Sequence, residues 1–389
     1  MTAPAPALAL AAQRALRAHR AMQRRFARAD GVYRRDGFPR RPGAAAHLWP
    51  LARALVATLD LAGTPPSLTA GFDPDAAIAW HLAALEHYWD PSEAVPGFAS
   101  DVVGSRWGGD RYYDDNAWVG LGLVQLERLR PGAGWLERAA ALWRFAAAAW
   151  DRRTDVSAPG GVFWVEQGRG LGMRNHDRNT VSTAPNAQLA LHLEELSGAP
   201  VDPAGGWPGP DPAQMCAWVD TTLSAAGDGG EEDRAAGLFW DKVRGDGGID
   251  RTLWSYNQGN MLGLNLLLAR RARAAGDAAA RARHLGRAEA IARRTLRHYD
   301  RAWESQPPAF NAICFRNLLA LSGATADAQL RAHIRGVIED YGEAAWHRRR
   351  DGRDGFRFSR GPGTLLDQSA MVSVFALLAW DPAGYGALA

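Results

Sequence analysis

Two adjacent carboxylates, Asp114-Asp115, stand in the stretch Arg111-Tyr112-Tyr113-Asp114-Asp115-Asn116-Ala117-Trp118. Neighbouring carboxyl groups suit chemistry that needs one protonated acid beside one ionised base or nucleophile, because mutual repulsion raises one pKa and leaves the other low. The same residue type is also a common helix start, since its carboxylate can accept from the free N–H groups of a first turn. The run that follows, Val119-Gly120-Leu121-Gly122-Leu123-Val124, is too apolar for a solvated helix. The acids therefore stand at the mouth of something buried, either as a cap or as a catalytic pair.

Few rival chemistries have their residues in place. The histidines, including His176 beside Asp177, lack a metal-binding spacing such as HExxH. Asp246-Gly247-Gly248-Ile249-Asp250 resembles part of a calcium loop but has no closing Glu and reads as a turn. A GxSxG elbow, a Walker loop and a dinucleotide fingerprint are all missing. Cys216 and Cys314 stand far apart, which excludes a disulfide framework. Net charge is +3, Lys242 is the only lysine, and Arg348-Arg349-Arg350 and Arg270-Arg271 read as solvated faces that do not imply nucleic acid. No stretch is long and apolar enough for a membrane span. The Ala-rich start has no basic n-region, so a cytoplasmic location is expected, or secretion if a leader has been removed.

The elements that must hold the acid pair are helices. Periodicity and breakers predict twelve, at about 5–29, 46–62, 74–90, 113–130, 134–150, 182–197, 211–226, 254–275, 278–301, 309–322, 326–346 and 365–380. Gly161-Val162-Phe163-Trp164-Val165 is the one candidate for a short hairpin arm. Odd-numbered helices carry charged faces, whereas even-numbered ones are apolar nearly all round and must be buried by neighbours on every side. Long connections, at roughly 30–45, 91–112, 151–181, 227–253 and 347–364, run from exposed helices to buried ones, and long loops are usually functional. A buried helix starts about every 55–72 residues, so the unit is a repeated helical hairpin. Six hairpins closing a ring give an all-α (α/α)6 barrel with inner and outer layers, a single catalytic domain over 1–389. Its chemistry belongs under the long loops, at the N-termini of the inner helices, where helix dipoles favour ionised carboxylates.

The residues opening those helices fit that placement. They include Tyr113, Asp114, Asp115 and Asn116; Asn179 and Thr180; Tyr256, Asn257 and Gln258; and Asp367 and Gln368, with Trp107 and Trp164 on the long loops. Amides, acids and rings on one rim suit a polyhydroxyl ligand, and sixteen tryptophans add faces for sugar C–H surfaces. Glycosidic cleavage uses one carboxylic acid on the leaving oxygen and one carboxylate that attacks or activates water, about 5–5.5 Å apart for retention and about 6.5–9.5 Å for inversion. Adjacent residues in a first turn project about 100° apart, so their carboxyls sit within several ångströms, a spacing that favours retention.

The element Tyr112-Tyr113-Asp114-Asp115-Asn116-Ala117-Trp118 resembles glycoside hydrolase family 76, as do Gly160-Gly161-Val162-Phe163-Trp164, Arg178-Asn179-Thr180-Val181-Ser182 and Tyr256-Asn257-Gln258-Gly259. These are the α-1,6-mannanases, which share an (α/α)6 barrel and a tandem aspartate pair. The resemblance implies a retaining double displacement on mannan or manno-oligosaccharides. Asp114 is then the nucleophile and Asp115 the acid/base, with no metal or cofactor. A mannan transglycosidase is the nearest alternative. An (α/α)6 sugar epimerase or isomerase is another, although such enzymes rely on axial histidines and the inner-helix openings offer only His47. A non-catalytic carbohydrate-binding protein is the third.

Overall fold

The computed structural model describes residues 5–36, 44–91, 94–105, 109–202, 209–225 and 237–389. Among them are twelve α-helices: α1 (Ala5–Phe26), α2 (Leu48–Ala62), α3 (Pro74–Glu86), α4 (Tyr113–Leu129), α5 (Leu136–Ala148), α6 (Thr180–Ser197), α7 (Pro212–Thr222), α8 (Ser255–Ala274), α9 (Ala278–Tyr299), α10 (Pro308–Ser322), α11 (Ala328–Arg348) and α12 (Leu365–Ala379). The even-numbered helices are buried nearly all round, as their apolar sequences require. Burial in α9 and α11 is confined to one stripe, with charge on the other side.

The helices group into two compact units. In the first, α12 packs on α1, α2 and α10, while α3 lies on α2 and α11 on α10 and α12. In the second, α6 lies between α4 and α8, with α5, α7 and α9 packed outside them.

Four outer helices are capped by aspartate, whereas among the inner helices only α6 and α12 are capped through side chains, by Asn179 and Thr364. Outer helices α3, α7, α9 and α11 each start on an aspartate whose carboxylate accepts a first-turn N–H: Asp73, Asp211, Asp277 and Asp327. Such a cap contributes about 1 kcal/mol. Inner helices α2, α4, α8 and α10 instead follow His47, Tyr112, Trp254 and Pro307, none of which caps through its side chain. Asp114 and Asp115 are therefore second and third residues of α4 and not its N-cap, which is Tyr112.

Two local expectations change. Helix α6 starts at Thr180, two residues before its predicted beginning, and accommodates Pro185. The Gly161–Val165 arm does not fold on itself as a hairpin. Val162 bridges Trp150, Phe163 bridges Arg178 and Val165 bridges Tyr112. Gly160 and Gly161 launch the arm with φ of +106° and +83°, and a Cβ on Gly161 would lie 2.4 Å from the Trp218 ring. Only glycine meets both demands there.

A small antiparallel sheet of two-residue strands, Arg178–Asn179, Lys242–Val243 and Ile249–Asp250, sits at the start of α6. The Asp246–Gly248 segment is the turn of its hairpin, closed by Arg244 N–H to Gly248 O at 2.7 Å. Buried Arg178 ties down the preceding loop by donating to the carbonyls of Ser157, Ala158 and Gly160 and pairing with Asp151 at 3.1 Å.

Candidate active site

The start of α4 and the arm before α6 are joined by backbone: Tyr113 N–H donates to Trp164 O at 3.0 Å, and Trp164 N–H to Asp177 O at 2.9 Å. This places the Trp164 indole over the first turn of α4. Its Nε1–H donates to Asp114 Oδ2 at 3.2 Å, and Tyr112 packs on its ring at 5.0 Å. The other Asp114 oxygen accepts from Asp115 N–H at 3.0 Å. Asp115 accepts no hydrogen bond from the described residues, and both carboxyls stay partly open to solvent.

Those differences separate the two acids electrostatically. Removal from water is the largest influence on Asp114, pushing its pKa up to about 7 against the pull of its hydrogen bonds, and the charge of Asp241 adds to the rise. Asp115 is raised well above the ordinary carboxylate range, first by desolvation and then by the charge of Asp114. The pair titrates as a unit, and its shared proton rests on Asp115, the member without donors.

A third carboxylate, Asp241, belongs to this cluster and was not foreseen. The short sheet holds it there, because its carbonyl accepts Thr180 N–H at 2.9 Å and its N–H donates to Asp250 O. Its side chain accepts from Asn257 Nδ2 at 3.3 Å. Burial raises Asp241 to about 6. Tyr256 is buried nearby, its hydroxyl raised first by desolvation and then by the charges of Asp241 and Asp114. Lys242 pairs with Asp177 at 2.8 Å and places its ammonium 5.9 Å from the Trp164 ring centre. The only hint in sequence was the lone lysine following an aspartate.

Several predicted ligand contacts are instead structural. Asn116, 1% exposed, clamps the backbone of Phe98 through both amide atoms and also donates to Tyr112 O. Gln258, fully buried, does the same to Phe239 and donates to Trp254 O. Gln368 accepts from Phe356 N–H and donates to Ala18 O and Asp354 O. With both amide hydrogens engaged and the side chain out of solvent, none of the three can reach a sugar. Thr180 is likewise buried, its hydroxyl donating to Trp240 O at 2.7 Å, and Tyr113 packs on Phe145 in the core. Asn179 is the buried N-cap of α6, its N–H donating to Ser182 Oγ. Asp367 closes a reciprocal cap with Thr364 in the first unit. Trp107 lies outside the described residues. The predicted residues brought together with accessible or near-accessible surface are thus Asp114, Asp115, Trp164 and Tyr256, with buried Asn257 positioning Asp241. Among the described residues, no group of three or more His, Cys, Asp and Glu side chains is arranged to hold a metal ion.

Comparison with known proteins gives this arrangement a family. The sequence profile described as glycosyl hydrolase family 76 matches residues 94–361. A family 76 glycoside hydrolase from a bovine Bacteroides thetaiotaomicron strain superposes with a TM-score of 0.74 at 19% identity, covering 95% of this chain and 77% of its own. A Bacteroides thetaiotaomicron family 76 mannosidase gives 0.73 at 20% identity, with 95% and 98% covered. An inactive variant of an α-1,6-mannanase from a Salegentibacter species, in complex with α-1,6-mannotriose, gives 0.68 at 17% identity, with 95% and 99% covered. No curated protein matches the chain in sequence. The common fold is the all-α (α/α)6 barrel, as the alternation of buried and exposed helices requires. The chain belongs to glycosyl hydrolase family 76 and is a glycoside hydrolase.

Proposed function

We propose that the protein cleaves α-1,6-linked mannosides with retention, Asp114 attacking the anomeric carbon and Asp115 protonating the leaving oxygen. The observation that carries this assignment is the unequal hydrogen bonding of the pair. Asp114 accepts from Trp164 Nε1 and Asp115 N–H, whereas Asp115 accepts from neither. Donors favour the ionised form, so Asp114 is the nucleophile and Asp115 keeps the proton that a leaving oxygen requires. After attack, Asp115 is the base that activates water against the glycosyl-enzyme ester, as microscopic reversibility demands. Tyr256 and Asp241 lie within electrostatic reach of Asp114, and the half-buried Trp164 ring beside it is an aromatic surface suited to a sugar.

The linkage is supported by the α-1,6-mannanase from Salegentibacter, crystallised with α-1,6-mannotriose as an inactive variant in which two consecutive aspartates are replaced. The test is incubation with α-1,6-manno-oligosaccharides, with proton NMR of the first-formed product. Release of the α-anomer supports retention. A β-anomer, or no product from any α-linked mannoside, would refute the proposal.

A further inference from the structure

In the first unit, a cleft of about 810 Å³ opens at the connection between α11 and α12. That size lies within the range of about 300–1,000 Å³ usual for small-molecule sites. Its wall is strongly cationic: Arg25, Arg348, Arg349, Arg350, Arg357 and Arg360 line it, against the single carboxylate of Asp351. The same wall carries Phe356, Phe358 and Ser359.

Neighbouring acids neutralise only part of this charge. Arg25 pairs with Asp351 at 2.6 Å, Arg350 with Asp354 at 2.7 Å, and Arg348 and Arg349 share Glu304. Arg357 and Arg360 are exposed and pair with no carboxylate among the described residues. The fold also makes room for the guanidinium groups. A Cβ on Gly355 would lie 2.1 Å from Arg25 Cζ, so glycine there lets the Arg25 head lie directly against the loop. The Arg349 guanidinium sits 5.8 Å from the Phe358 ring centre, a cation–π contact that holds both at the cleft.

We propose that this cleft binds a phosphate ester carried on a glycan, a phosphomannoside segment of the substrate. Arginine forks match phosphate oxygens bidentately, and an adjacent aromatic ring provides a surface for the attached sugar. The choice of a mannoside over other anions rests on the substrate reading proposed above. The cleft thus selects mannans bearing phosphate.

Calorimetry on the full chain tests this with four probes: inorganic phosphate, mannose 6-phosphate, a phosphomannan, and vesicles containing an anionic phospholipid. The variant is Arg357→Ala/Arg360→Ala, whose side chains are exposed and unpaired, so the fold is not at risk. Phosphomannan is expected to bind at least tenfold more weakly to the variant, with affinity in the wild type falling as salt rises. Mannose 6-phosphate is expected to compete better than inorganic phosphate. Turnover of neutral α-1,6-mannotetraose is expected to be equal in the two proteins. That last reading checks the proposed hydrolysis separately, because binding is measured without it. Equal phosphomannan affinity in wild type and variant overturns the proposal. So does binding of inorganic phosphate alone, or of the vesicles in preference to phosphomannan.

Discussion

Asp114 and Asp115 are one residue type on consecutive positions, and what distinguishes them is who donates to each. Replacing Asp114 or Asp115 with Asn is expected to lower turnover of α-1,6-manno-oligosaccharides by about 10³-fold or more, because each then lacks the nucleophile or the proton donor. A variant retaining a tenth of wild-type turnover would remove its residue from the proposed role. The pH profile separates the neighbours of the pair in opposite directions. On the proposed mechanism hydrolysis needs Asp114 ionised, so the acid limb follows a group pushed up to about 7. Trp164→Phe removes a donor that stabilises the carboxylate, so the limb moves to higher pH, with kcat/KM falling on the order of 10²-fold. Asp241→Asn removes a negative charge that raises Asp114, so the limb moves to lower pH. Limbs that moved together would contradict this electrostatic account. Of this site, the pair and Trp164 were legible in the sequence because an acid doublet before an apolar run, and a tryptophan after two glycines, are local patterns. Asp241 was not legible. Its position depends on a sheet of two-residue strands, too short to show any alternation.

One device recurs at the starts of the inner helices. The fourth residue of α4, α6, α8, α10 and α12 is Asn116, Thr183, Gln258, Asn311 and Gln368, and each bonds the backbone of the connection that precedes its helix. The bonded residues are Phe98, Val162, Phe239, Trp303 and Phe356, so each connection is pinned at an apolar residue whose side chain is buried. The amides that looked like sugar ligands are thus the clamps that hold the long loops. Gln368→Ala leaves Phe356 N–H and two carbonyls without their partner, a loss expected to cost about 2–4 kcal/mol. Urea unfolding followed by circular dichroism measures it, and a change below about 1 kcal/mol would show that water takes over the bonds. In sequence, an Asn or Gln before an apolar run looks alike whether it faces loop or ligand. The helices were readable for a related reason: all-round apolarity and one-sided apolarity are both local patterns. Long-range clamps are not.

Across the whole molecule, two kinds of buried titratable group act on stability in opposite directions as pH falls. His19, His81 and His192 are held neutral by burial, with pKa values lowered to about 3, 4 and 4. In the unfolded chain each titrates near 6.5, so acidification from pH 7 to 5 favours unfolding by about 2 kcal/mol per histidine. Asp114, Asp115 and Asp241 are raised by burial. Their folded forms hold protons that the unfolded chain has already released between about pH 4 and 7, so over the same interval acidification favours folding. In the wild type the two sets oppose each other. Asp114→Asn/Asp115→Asn removes two of these raised carboxylates while leaving the histidines in place. At pH 7.5 the double variant is therefore expected to unfold at higher urea than the wild type, because a half-buried acid pair at the mouth of an apolar helix is a cost the fold bears for chemistry. Between pH 7 and 5 its unfolding midpoint is expected to fall more steeply than that of the wild type, because fewer raised carboxylates then oppose the histidines. Parallel midpoint curves would mean that the pair is solvated enough to titrate as it does in the unfolded chain, and the separation of roles between Asp114 and Asp115 would lose its electrostatic basis.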